Sequence, residues 1–208
     1  MEVQKGERID GRYMAGESLL LGDNGAVSIS KCTLEYCHIV VDFKKSSFGI
    51  VDSILRNCTI EFKRKLKNDR LVSCDYINCK FIGKFEGVDF GRSPWPNFGT
   101  NQMDLLGEII ECDFTQAELD LCRFFSVDIR HQKFAQWPQF VVPRESALIA
   151  SKLVKQWPGD FLRYINLLSG DDPATTGAAG SAKDFMKRYR VTDHELLNAL
   201  DEIEGVIK

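Results

Sequence analysis

The segment from Gly107 to Gln136, GEIIECDFTQAELDLCRFFSVDIRHQKFAQ, repeats every five residues. Gly107, Cys112, Ala117, Cys122, Val127 and Gln132 share one register, and Ile109, Phe114, Leu119, Phe124, Ile129 and Phe134 follow two residues later. An α-helix repeats at 3.6 and a strand at 2.0, so neither holds a small and a large residue in fixed phase over this length. The pattern predicts a coil that turns a corner every five residues and points both residues of each unit inward.

The seven cysteines obey the same rule. Cys32, Cys37, Cys58, Cys74, Cys79, Cys112 and Cys122 each stand two residues before a bulky side chain. Their odd number argues against a disulfide framework, and no CxxC pair suggests zinc or redox chemistry. They read as small buried hydrophobes. The repeat is expected over residues 27–136, interrupted by insertions at 40–57, 62–70 and 91–106. The polar, glycine-containing residues 1–26 read as an N-terminal cap over the first exposed strand edge.

Triplets such as Cys112-Asp113-Phe114 and Ala117-Glu118-Leu119 resemble those of the pentapeptide-repeat proteins. That resemblance implies a right-handed, four-sided parallel β-helix. The fold class expected is therefore mainly β, about four coils followed by a small α-helical C-terminal region over 137–208.

Within that region Trp137 to Pro143 reads as extended, because a residue before proline is steered away from helix. Leu148, Ile149, Leu153, Val154 and Trp157 suggest one helix face, stopped by Pro158-Gly159, and Asp160 suggests the cap of the next helix, with Phe161, Leu162, Ile165 and Leu168 inside it. Residues 169–181 are small and glycine-rich and read as a mobile linker. A short helix is expected around Lys183 to Tyr189. Thr192 and Glu195 then form a capping box before the apolar stripe Leu196, Leu197, Leu200, Ile203 and Ile207. That stripe is expected to pack on its own chain, with a homodimer contact as the alternative.

Signals for chemistry are sparse. His38, His131 and His194 show no metal-binding spacing, and no phosphate loop, nucleophile elbow or dinucleotide fingerprint occurs. Neither a cofactor nor a metal is implied. Asp75, Asp89, Asp113, Asp120 and Asp128 are tested as a carboxylate row of a polysaccharide-acting β-helix enzyme, but their spacing does not bring Asp113, Asp120 and Asp128 to one place on successive coils.

Surface recognition remains. The 208 residues carry a net charge of -3, too little for a global field toward nucleic acid. The apolar run Leu19 to Leu21 is far too short for a membrane span, which points to a cytoplasmic chain. Two groups of candidate partner-binding residues stand out: the basic run Lys63, Arg64, Lys65, Lys67 and Arg70, and Arg92, Trp95 and Phe98 on the proline- and glycine-bearing excursion. A degenerate repeat scaffold with a helical module resembles the immunity proteins paired with antibacterial toxins. The implied role is non-enzymatic occlusion of a toxin's active site. The quinolone-resistance pentapeptide proteins, which resemble duplex DNA and bind DNA gyrase, supply the second expectation.

Overall fold

The computed structural model describes residues 5–44, 49–92 and 106–208. The pentads wind into a parallel β-solenoid of about five turns, compatible with pentapeptide-repeat geometry. One face stacks Met14, Leu34, Leu55, Tyr76 and Ile109. The next stacks Leu19, Ile39, Ile60 and Phe81, then Phe114 and Phe134. A third stacks Leu66, Phe85 and Leu119. The remaining one carries Ile9, Ile29 and Ile50 in the early coils and Leu71, Phe90 and Phe124 in the later ones. All of these except Phe134 are buried. Each coil therefore hides its large side chains against its neighbours, and no coil has a complete core alone.

The corners use a backbone conformation that L-residues avoid. Lys31, Tyr36, Asp52, Asn57, Asn78, Glu111 and Leu121 all have φ near +50°, and each directly precedes a small ladder residue. The left-handed turn costs about 1 kcal/mol per non-glycine residue. Burial of the side chains on either side offsets it.

Cysteine does more at these corners than fill space. Sγ of Cys37, Cys58, Cys79, Cys112 and Cys122 donates to a main-chain carbonyl one coil back, at 3.3–3.7 Å. Two residues substitute for it. Ser53 Oγ accepts from the Cys32 amide at 3.0 Å and donates to the Val51 carbonyl. At the last coil, Gln132 Oε1 accepts from the Cys112 amide at 2.7 Å, and its Nε2 donates to the carbonyls of Ile109 and Asp128. Side chains with a donor at these positions satisfy corner groups of the main chain.

Burial has a titration consequence. It pushes the Cys74 and Cys122 thiols up to about 12, and hydrogen bonding to Cys112 together with burial takes Cys79 there as well. A thiol whose folded pKa lies above its unfolded value of about 8.5 favours the fold below that pH and loses the contribution as pH climbs toward 12. Stability is expected to be flat from pH 6 to about 8 and to fall steeply between about 9 and 12. All seven thiols should resist iodoacetamide at neutral pH until denaturant is added, and mass spectrometry would count the adducts. Rapid labelling of the native protein would show that the ladder opens.

Several sequence expectations are corrected. Within the segment expected as an N-terminal cap, Arg8–Asp10, Tyr13–Ala15 and Ser18–Gly22 are rungs of a first coil paired in parallel with the second. The interruptions at 40–57 and 62–70 are also narrower than expected, since Ile50–Val51, Ser53–Arg56, Leu66–Lys67 and Arg70–Leu71 are rungs. The third insertion is real in length. Tyr76 pairs with Ile109, 33 residues on, whereas Leu34 pairs with Leu55, 21 residues on. Most of that insertion lies outside the described residues.

The C-terminal region joins the solenoid through a reversed strand. Thr175–Ser181, expected as a linker, runs antiparallel to Cys122–Phe125 on one side and to the Gln139–Pro143 strand on the other. Its small residues are required there: a Cβ on Gly180 would sit 2.8 Å from the Phe140 ring, and one on Gly177 would sit 2.6 Å from Ile129 Cδ1. Around this sheet pack α1 (Arg144–Ala150), α2 (Phe161–Ser169), α3 (Ala182–Tyr189) and α4 (Asp193–Asp201). They enclose a second core that includes Phe140, Trp157, Phe161, Ile165, Phe185, Leu196 and Leu200. The Thr192/Glu195 capping box forms as expected. Leu196, Leu200 and Ile203 of the apolar stripe are buried in this chain's own core.

Helix α1 differs from its predicted orientation. It ends at Ala150 and turns Ser146, Ala147 and Ala150 inward, leaving Ile149 exposed on the helix and Leu153 and Val154 exposed beyond it. Asp160 stands at the N-cap of α2 but makes no side-chain cap bond. No helix among the described residues is long and apolar enough to cross a membrane.

Candidate partner surface and seam cleft

The basic run folds into a turn whose charges are met by carboxylates of neighbouring rungs. Lys63 pairs with Glu61, Arg64 Nε lies 2.6 Å from Asp42, and Lys65 and Lys67 share Glu86 at 2.7 and 3.2 Å. Hydrogen bonds from Lys63 and from Lys65 hold the Glu61 and Glu86 carboxyls below the usual carboxylate range. Arg70 begins the next rung, with its amide on the Asp69 carboxylate. The run is therefore a laced, nearly neutral corner of the tube, and its positive field toward an acidic partner is largely cancelled at short range. Arg92 reaches Glu108 at 3.4 Å across the base of the excursion. Trp95 and Phe98 lie outside the described residues.

The five tested aspartates are each held by the fold. Asp75 accepts from the amides of Gly107 and Glu108, Asp113 from Thr115, and Asp128 from the Arg130 amide. Asp89 takes a bidentate grip on Arg123 at 2.9 and 3.0 Å, and Asp120 one on Arg188 at 2.7 and 3.3 Å.

The last two pairs mark a place that sequence reasoning missed. Arg123 stands on the solenoid and also reaches Asp171, beyond α2, at 3.3 Å; Arg188 of α3 reaches back to Asp120 on the solenoid. These pairs staple the helical unit to the tube. Between them opens a cleft of about 300 Å³. Ala178, Ala179 and Gly180 of the reversed strand line it with little side-chain bulk, alongside Tyr164, Phe185 and Tyr189. Tyr164 Oη is buried there without a hydrogen-bond partner, and burial pushes its pKa up. Leu121 and Leu167 also line the cleft and are exposed, Leu167 by 60%. Elsewhere on the helical unit Ile149, Leu153, Val154 and Leu162 are exposed as well.

The arrangement is an apolar, aromatic-walled depression with paired charges at its margin and the exposed Leu121 and Leu167 in its lining, a composition suited to binding. The sequence signal that would have located it is the glycine- and alanine-rich strand, whose smallness leaves the depression. No protein-family model, curated protein or solved structure matches this chain.

Proposed function

We propose that this chain is a non-enzymatic binding protein, an immunity protein that neutralises a cognate toxin by covering its active site, and that the helical unit with its seam cleft makes the contact. The observation that carries this reading is the set of exposed aliphatic side chains on the helical unit between residues 149 and 167, of which Leu167 lines the cleft. Apolar anchors seated in a depression with arginines at its rim have the composition of a binding hot spot. The engagement of Asp75, Asp89, Asp113, Asp120 and Asp128 in holding the fold favours binding over hydrolysis by a carboxylate row. The solenoid serves as a rigid mount, so the surface binds with little reorganisation.

The test uses the product of the adjacent gene as probe. Co-expression should relieve its toxicity and the two should co-purify. Leu162→Glu combined with Leu167→Glu should weaken that complex at least ~100-fold, since two hot-spot positions at about 2 kcal/mol each exceed that factor. Both side chains are partly exposed, so Tm should move by less than about 2 °C. A toxin left fully active beside abundant folded protein would remove the proposal.

A further inference from the structure

The first coil is the outermost layer of the tube on three faces. Arg8–Asp10, Tyr13–Ala15 and Ser18–Gly22 each stand last in their sheets among the described residues, and a bare strand edge is a template for pairing with another chain. Thr33 and His38 donate their amides back to the Arg12 and Glu17 carbonyls. Tyr13 and Ser18 stand in register with them, so their own amides face outward, away from the second coil.

The corner columns show how a coil accepts the layer before it. In register with Arg12 stand Cys32, Ser53 and Cys74, and with Glu17 stand Cys37, Cys58, Cys79, Cys112 and Gln132. Side chains inside these columns take two roles toward the preceding coil. They accept a corner amide, as Cys32 does from Arg12 at 3.3 Å, Ser53 from Cys32 at 3.0 Å and Gln132 from Cys112 at 2.7 Å. They also donate to a carbonyl, as Cys32 does to Ile9, Cys37 to Met14 and Gln132 to Ile109. Thiol, hydroxyl and amide groups can do both, whereas a guanidinium only donates and an ionised carboxylate only accepts. The first coil therefore breaks the rule at both corners. Arg12 pairs with Glu7, one corner earlier, at 3.1 Å.

We propose that Arg12 and Glu17 close this end of the tube to a second copy of the chain. A further layer stacked on the first coil would bury a charge at each of these corners, with one of the two bonds made there in the interior missing, and a buried charge without full compensation opposes association. The edge is a docking surface for another copy, and these two side chains hold it shut. This role is independent of the toxin reading, which concerns the helical unit.

The test replaces both residues by those that the same columns use further in: Arg12→Ser, after Ser53, with Glu17→Gln, after Gln132. Sedimentation equilibrium should find the wild-type chain monomeric up to ~500 µM and the double variant dimerising with a Kd of about 100 µM or tighter. In that dimer, hydrogen exchange at the Tyr13 and Ser18 amides should slow at least ~10-fold. Arg8→Gln with Asp10→Asn removes the same two signs of charge from the outward-facing positions of this coil and should leave the chain monomeric. Glu17→Gln alone keeps the side-chain bulk and restores one corner, so it should dimerise with a Kd of about 1 mM. A wild-type dimer that protects those amides would overturn the assignment. So would a folded double variant still monomeric at ~500 µM, or an Arg8/Asp10 variant that associates as strongly as the double variant. If the double variant does not fold, a monomeric Glu17→Gln chain decides against the proposal in its place.

Discussion

Replacing Phe114 with alanine is expected to remove about 3–5 kcal/mol of folding stability, the range for deleting a buried phenylalanine from a core that cannot collapse. Phe114 is fully buried. Its ring stacks on Phe81 at 4.8 Å and on Phe134 at 5.5 Å, and meets Phe90 and Phe124 edge-on at 5.4 and 5.6 Å. Those contacts tie three successive coils together, and the main-chain ladder that fixes them leaves little freedom to fill a void. For a chain of this size the loss corresponds to a fall in Tm of roughly 10 °C. Urea unfolding measures it directly, and Phe114→Leu should recover more than half. A cost under about 1 kcal/mol would show that the aromatic column does not hold the tube together.

The second large effect is expected from Arg123→Ala. Asp89 is almost completely buried and its two oxygens face this guanidinium; Asp171 shares it from the helical side. Removing one member of a buried pair leaves an uncompensated charge, at about 3–5 kcal/mol in closed sites. The Arg123 side chain is 36% exposed, so water enters and about 2–3 kcal/mol is the expected cost. The double variant Arg123→Ala with Asp89→Ala should be less destabilised than the single one, because the stranded carboxylate is gone. Equal or greater loss in the double variant would show that Arg123 acts by packing over Phe125, whose ring lies 5.0 Å from its guanidinium carbon.

What the sequence revealed and what it hid follow from one distinction. The pentad is legible wherever a small residue precedes a large one, because in the interior coils both are buried against neighbours. In the first coil Ile9, Met14 and Leu19 keep the five-residue phase, but the positions two before them hold Glu7, Arg12 and Glu17. An end coil has no layer above it to require a small side chain there, so half the signal vanishes while the fold persists. Thr175–Ser181 misleads for the opposite reason. Composition that means freedom in a linker means close approach in a strand flanked on both sides. The α1 segment fails because Leu148 to Trp157 fits a helical period, whereas the chain turns at Ala150 and sets small residues inward. Of the candidate site, the basic run was visible as charge, but its neutralisation depends on carboxylates about twenty residues away, brought near by stacking. The cleft depends on the crossing of two units that no local pattern encodes.

A parallel stack offers each newcomer the same docking pattern as the layer before, and so has no intrinsic length. Here the layer beyond Cys122–Phe125 runs the other way, and the Gln139–Pro143 strand after it ends in a residue without an amide hydrogen while Ile207 occupies Val141 on its outer side. On this face of the tube the hydrogen bonds by which a further copy would extend the sheet are spent, by chain direction and proline together.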